Sequence, residues 1–284
     1  MKKLTLLTAA MLCGALTITA QNTENGHEYV DLGLPSGTKW ATCNVGATAP
    51  EAYGDYYAWG ETALKDNYNW GTYKWCNGDY NNLTKYNTDS YYGTVDNKTT
   101  LDSEDDAAAV NWGGKWRMPT GAELTELREN CTWTWVEGYN GTDKNGYEVK
   151  SKANGNSIFL PAAGYRYDGY LNGADRYGYY WSSSLSSDIP RSAWHVSFYS
   201  DFVSRDGINR CLGQSVRPVC QVTTPTALAA AEMPAVYATD GRIVCAQEFR
   251  VFDLLGRDVT RQNGTLHGVY VVKTADAAQK VVVK

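Results

Sequence analysis

Hydrophobic and polar positions divide the chain into stretches of different character. Residues 4–20 are mostly apolar and follow two lysines, Lys2 and Lys3. From about residue 27 to 221, short runs rich in apolar, aromatic and β-branched residues alternate with Gly, Asn, Asp and Ser. The runs at 29–32, 40–45, 56–59, 157–160, 179–183, 193–198 and 215–219 predict strands joined by turn-rich connections. Two segments carry a helical signature. Residues 101–112 (LDSEDDAAAVNW) place acids where a first turn gains from the helix dipole. Thr120 and Glu123 form a Thr-x-x-Glu capping box ahead of Leu124 and Leu127, which predicts a helix to about Asn130. Residues 64–100 follow neither period; eight aromatics among Asn, Asp and Gly predict a long ordered loop. Runs at 242–244, 249–253, 268–273 and 280–284, with turns at 254–257 and 262–264, predict a small β-unit at the end.

This pattern gives a domain plan. The basic start, short apolar middle and small residues before Gln21 have the form of a secretory signal peptide over residues 1–20, and mean hydropathy of −0.45 leaves no other membrane helix. A first domain spans 21–221. Residues 222–233 lack aromatics and any period and read as a linker. A second domain spans 234–284. The net charge of −5 is unevenly spread: residues 21–234 hold 17 Lys+Arg against 26 Asp+Glu, and residues 235–284 hold 7 against 5. The acidic first domain disfavours nucleic acid and phosphates and favours neutral or cationic ligands.

Composition adds a bias in aromatic type: 10 Trp and 21 Tyr against 5 Phe. Tyr and Trp are the aromatics that work half-exposed. His27, His195 and His267 lie too far apart to predict a zinc site. With Cys13 inside the signal segment, six cysteines remain (Cys43, Cys76, Cys131, Cys211, Cys220, Cys245), enough for 15 disulfide connectivities, with no Cys-x-x-Cys. No nucleophile motif of the Gly-x-Ser-x-Gly kind occurs, and no catalytic residue is expected.

Six blocks, in order, carry a resemblance: Tyr29-Val-Asp-Leu-Gly-Leu-Pro-Ser-Gly-Thr-Lys-Trp40, Cys43-Asn-Val-Gly46, Trp112-Gly-Gly-Lys-Trp-Arg-Met-Pro-Thr120, Ile158-Phe-Leu-Pro-Ala-Ala-Gly164, Tyr180-Trp-Ser-Ser-Ser184 and Ser215-Val-Arg-Pro-Val219. Residues 27–221 resemble the Fibrobacter succinogenes major paralogous domain. The resemblance implies an α+β, C-type-lectin-like fold, related to formylglycine-generating enzymes, with a small twisted sheet, two helices and long irregular loops. It also implies an exported protein of the Bacteroidetes or their relatives. The cysteine-containing patterns of formylglycine-generating enzymes are absent, and a Cys211–Cys220 disulfide is the simpler expectation. The calcium motifs of C-type lectins are absent too. No cofactor is expected, with calcium open at the oxygen-rich loops 168–175 and 201–209. Within the blocks, Trp116, Phe159 and Trp181 are expected in the core, and Arg117 and Arg217 on loop carbonyls.

In the tail, Val251-Phe-Asp-Leu-Leu-Gly-Arg-Asp-Val259, Gly268-Val-Tyr-Val-Val-Lys273 and Lys280-Val-Val-Val-Lys284 resemble a type IX secretion system C-terminal sorting domain, expected as a small β-sandwich-like unit. That likeness implies the outer-membrane type IX secretion machinery as one partner and a cell-surface or secreted location. The ligand surface is expected on the loops between the scaffold blocks. These place Tyr167, Tyr170, Tyr177 and Tyr199 among Asp168, Asn172, Asp175, Arg176, Asp201, Arg205, Asp206, Asn209 and Arg210, a mixture of rigid aromatic area and adaptable hydrogen-bonding groups. The expectation is a binding protein for extracellular glycan or protein; a secreted polysaccharide-active enzyme and a structural surface-layer component are the alternatives.

Overall fold

A computed structural model of the chain describes residues 22–222, 236–245, 247–274 and 278–283. The expected signal segment, 1–20, lies outside the described residues, as does the expected linker apart from residue 222. Two compact units divide between Val222 and Thr223.

The first unit opens with β1 (Thr23–Glu24), β2 (His27–Asp31) and β3 (Lys39–Ala41). A long irregular stretch follows, containing short 3-10 turns, before α1 (Ala107–Trp112), β4 (Trp116–Arg117) and α2 (Gly121–Asn130). The chain continues through β5 (Cys131–Val136), β6 (Gly146–Ser151), β7 (Ser157–Pro161), the pair β8 (Tyr165–Tyr167) and β9 (Tyr170–Asn172), then β10 (Gly178–Leu185), β11 (Ser192–Tyr199), β12 (Phe202–Asn209) and β13 (Val219–Cys220). The strands form small antiparallel sheets: β1-β2-β3-β13-β4, β5-β6-β7, β8-β9 and β10-β11-β12. Among the described residues the protein is mostly β, 38% strand against 13% helix, so its helices accompany small sheets and do not form a layer of their own.

Local chemistry explains both helices. The Thr120 hydroxyl accepts from the Glu123 amide at 3.1 Å while Glu123 accepts from the Thr120 amide at 2.8 Å, the reciprocal box the sequence predicts. Residues 101–112 are not one helix. Asp106 turns its carboxylate onto the amides of Ala108 and Ala109 and becomes the N-cap of a single six-residue helix, leaving the preceding acids in a 3-10 turn.

Trp116, Phe159 and Trp181 are buried, as expected. Arg217 is fully buried and donates to the carbonyls of Ala41, Thr42 and Phe159 and to Asn44 Oδ1 at 2.7 to 3.0 Å. Arg117 differs from the expectation. It donates to the Met118 carbonyl but spends its fork on Glu123, at 2.6 and 2.7 Å. Burial alone would raise the Glu123 carboxyl, but the hydrogen bonds from Arg117, Thr120 and Thr38 outweigh it and hold it at about 2.

The second unit contains β14 (Tyr237–Thr239), β15 (Arg242–Val244), β16 (Arg250–Phe252), β17 (Gly268–Lys273) and β18 (Ala278–Val283), in two antiparallel sheets, β14-β15 and β16-β17-β18. Ile243, Val251, Leu266, Val272, Val281 and Val283 make its core. Among the described residues no helix is long and apolar enough to cross a membrane.

Candidate functional site

The β8–β9 hairpin turns on Asp168 and Gly169, with φ of +46° and +81°, the left-handed pair that a two-residue Asp-Gly hairpin requires. Opposite residues of an antiparallel pair share a face, so Tyr165, Tyr167, Tyr170 and Asn172 lie on one side and Arg166 and Leu171 on the other. Ring contacts agree with this division. Tyr165 meets Tyr179 at 5.2 Å, whereas the Arg166 guanidinium lies over the Tyr56 ring at 5.2 Å.

On the first side a row of rings continues across the β10-β11-β12 sheet. Tyr179 lies 6.3 Å from Tyr177, Tyr177 meets Tyr199 edge-on at 6.1 Å, and Tyr199 stacks on Phe202 at 5.1 Å. Tyr167, Tyr177, Tyr199 and Phe202 are each 39–46% exposed and Tyr170 is 73% exposed. Gly173 makes room for the row: it holds a φ of +68°, and a Cβ there would sit 2.5 Å from the Tyr177 ring. Beneath Tyr179, stacked on it at 5.7 Å, His195 is buried with Nδ1 3.1 Å from Gln214 Oε1. Burial pushes its pKa down to about 4, so the ring is neutral at neutral pH with Nδ1–H donating. It supports the row from below.

The structure brings together only part of the residues the sequence assigned to this surface. Residues 199–210 were expected as a loop, but 202–209 form β12, and strand alternation sends their side chains to two faces. Phe202 and Asp206 stay on the aromatic side. Arg205 is on the other, its guanidinium 4.1 Å over the Trp194 ring and close to Gly121 of α2. Asn209 shares that parity, opposite Ser192. Arg210 is not a surface residue at all: fully buried, it donates to the Tyr73 hydroxyl and to the carbonyls of Lys85, Tyr86 and Pro190 at 2.8 to 3.0 Å. Asp168 and Asp175 are committed to protein partners, accepting from Asn69 Nδ2 at 2.7 Å and from the Tyr53 hydroxyl. Arg176 is exposed, Asn172 donates to the Tyr170 carbonyl at 3.1 Å, and Asp201 sits exposed in the β11–β12 turn. Tyr165, Tyr179 and Phe202 belong to the row but were missed. Alternation in step with Tyr177 points to Tyr179, and a two-residue turn at 200–201, which sets Phe202 opposite Tyr199, points to Phe202.

The expected Cys211–Cys220 disulfide is not formed. Both are free thiols in different buried clusters, Cys211 beside Tyr68, Tyr73 and Cys76, and Cys220 in β13 beside Ala41 and Trp116. The eight residues between them are all buried, and the two thiols end in different clusters. Burial pushes Cys211 up to about 12 and Cys220 up to about 11.

Among the described residues, the acidic group that converges closely enough for a metal is Asp102, Glu104 and Asp105, outside both oxygen-rich loops. Lys85 Nζ already sits in that group, 2.8 Å from Asp102, 3.6 Å from Glu104 and 2.6 Å from Asp105. Hydrogen bonds from Lys85 and Lys98 hold the Asp102 carboxyl at about 2. Asp106 is pushed up by burial, but its oxygens cap α1 and accept from the Met118 amide, a structural use. Comparison with protein-family models, with curated proteins and with solved structures found no match.

Proposed function

We propose that this chain is an exported, non-catalytic binding protein whose first unit is a C-type-lectin-like domain and whose ligand is an extended neutral glycan. The row Tyr165–Tyr179–Tyr177–Tyr199–Phe202, half-buried at Tyr165 and Tyr179 and exposed at Tyr177, Tyr199 and Phe202, carries the reading: its steps of 5.1 to 6.3 Å match the scale of successive sugar rings. Tyr supplies rigid apolar area with a hydroxyl at its edge, at small entropic cost. The acidic balance of residues 21–234 favours a neutral chain over a polyanion.

The test is binding of the full chain to neutral and acidic polysaccharides, compared with Tyr177→Ala and Tyr199→Ala. Neutral polysaccharide should bind, and each variant should weaken it by about 2 kcal/mol if its ring is an anchor. Binding with unchanged affinity in both variants would remove the row from the site. Capture of a protein partner, lost in the same variants, would keep the surface and change the ligand class.

For the second unit the resemblance of residues 251–259, 268–273 and 280–284 supports a type IX sorting role. Deletion of 234–284 should stop surface delivery; delivery at normal levels would end that assignment.

A further inference from the structure

The other face of the β8–β9 hairpin borders a cleft of about 570 Å³, lined by residues of the 54–68 segment together with Arg166 and Gly169. We propose that this cleft is a second binding site, separate from the aromatic row, for a single neutral sugar ring or a comparable polyol.

The walls are built before any ligand arrives. Tyr68 and Tyr56 are buried and their hydroxyls donate to the carbonyls of Tyr56 and Ala163, at 2.5 and 2.6 Å. The Asn69–Asp168 hydrogen bond and the Asp168 amide, which donates to the Tyr68 carbonyl at 3.4 Å, tie one wall to the other. The Arg166 backbone is paired in both directions with Gly213, at 2.7 and 3.0 Å. Gly169 lets the walls close: a Cβ there would lie 3.1 Å from Asn67 Oδ1. The volume falls in the range of small-molecule sites, roughly 300–1,000 Å³.

The polar groups on those walls differ in how far they are committed. Lys65 is spent, donating to Glu61 at 2.9 Å and to the Thr72 carbonyl at 3.1 Å. Arg166 is not: among the described residues its guanidinium faces a ring but meets no acceptor. Asp66 and Asn67 are exposed, with side chains that likewise meet no hydrogen-bond partner among the described residues. Asp55 is bound to the Tyr57 hydroxyl and keeps acceptor capacity.

The free set is therefore a fork of donors, two carboxylates and an amide. A phosphate or carboxylate ligand would gain Arg166 but face Asp55 and Asp66, and a metal ion would face Lys65 and Arg166. Hydroxyl groups give and accept at once, so a polyol uses every member of the set without importing charge. The cleft and the row lie on opposite faces of one hairpin, so loss of one site leaves the other standing.

The experiment is ligand-detected saturation-transfer NMR on the full chain with glucose, galactose and mannose, and with glucuronate and glycine as comparison arms. Asp66→Ala, Arg166→Met and, from the row, Tyr177→Ala are measured beside the unaltered protein. At least one hexose should show transfer, weakened tenfold or more in Asp66→Ala and in Arg166→Met; Tyr177→Ala removes any share that the row contributes, and transfer from the cleft should remain. Asp66 is exposed and unpartnered, so its variant reports on binding even if Arg166→Met melts early. The proposal is overturned if no hexose binds, if Asp66→Ala binds as well as the unaltered chain, if Tyr177→Ala alone abolishes the signal, or if glucuronate or glycine binds in place of the hexoses.

Discussion

Residues 64–100 and residues 165–202 look alike as sequence, since both set tyrosines among Asn, Asp and Gly. Folded, they do opposite things. In the first, Tyr68, Tyr73 and Tyr86 are 0–3% exposed and their hydroxyls donate to Tyr56 O, Trp59 O and the Asp105 carboxylate. These rings hold together a stretch that has almost no regular structure to satisfy its backbone. In the second, strand ladders already pair the backbone, and Tyr167, Tyr170, Tyr177 and Tyr199 remain exposed. Tyr68, Tyr73 and Tyr86 are consumed by the fold where no ladder pairs the backbone, and Tyr167, Tyr170, Tyr177 and Tyr199 stay free where one does, with Tyr91 of the loop (71% exposed) and Tyr180 of the ladder (1%) as the exceptions.

The buried arginine that serves the first region gives the largest expected effect. Arg210 reaches from the end of β12 to three carbonyls, and Arg210→Met would leave those acceptors buried without their donor. Stability should fall by about 3 kcal/mol or more, since each unsatisfied buried group costs roughly 1–3 kcal/mol. Arg176, exposed in the second region, should change stability by about 0.5 kcal/mol or less when replaced by Ala. Urea unfolding of the two variants makes the comparison. Equal losses would mean that the two regions are not distinguished by burial.

How much of this was legible follows from the same distinction. The α2 capping box and the core role of Trp181 were readable because local spacing and residue type decide them. Strand β12 was not, because its segment 199–210 reads as a turn-rich polar loop; only pairing with β11 makes it a strand. That error also misassigned Arg205 and Arg210. Strands β5 and β6 were missed for a similar reason, since β6 is stabilised by having β5 and β7 on either side. The buried fate of the 64–100 tyrosines depends on partners such as Trp59, Asp105 and Arg210, and no local pattern names them.

Acid should weaken the molecule in two steps, one from His195 beneath the row and one from Glu123 in α2. His195 is neutral in the fold, with a pKa of about 4 against 6.5. The unfolded chain therefore takes up a proton that the folded chain refuses as pH falls from about 6.5 to 4. Stability is full above that window, drops within it by roughly 3 kcal/mol, and loses nothing more from this group below it. Glu123, held at about 2 against 4.5, keeps its contribution above about pH 4.5 and loses it toward pH 2, on the order of 3 kcal/mol. His195→Asn should flatten the upper step and Glu123→Gln the lower. Denaturant titrations across pH check both, and an upper step that survives His195→Asn would place its origin elsewhere.

Removing single hydroxyls tests the comparison more finely. Tyr73→Phe leaves Arg210 Nε and the Trp59 carbonyl short of a partner, and Tyr86→Phe does the same to Asp105 and the Asp102 amide. Each should cost about 1–2 kcal/mol in a thermal or urea melt. A cost near zero in both would mean that packing, with no help from the hydroxyls, holds the loop.

The smallest effect is expected at the tip of the second region. Tyr170 is 73% exposed, it sits directly after the Asp168-Gly169 turn, and its own backbone is held by pairing with Tyr167. Removing its ring therefore exposes no core and breaks no ladder bond. Tyr170→Ala should shift stability by about 0.5 kcal/mol or less, while Tyr68→Ala, a ring of the same chemistry at 1% exposure, should cost about 3 kcal/mol or more. The pair of melts separates presentation from stitching without any ligand in hand. If Tyr170→Ala melts as early as Tyr68→Ala, the ring at the hairpin tip is part of the scaffold, and the exposure of a tyrosine beside a paired strand no longer marks it as free for a ligand.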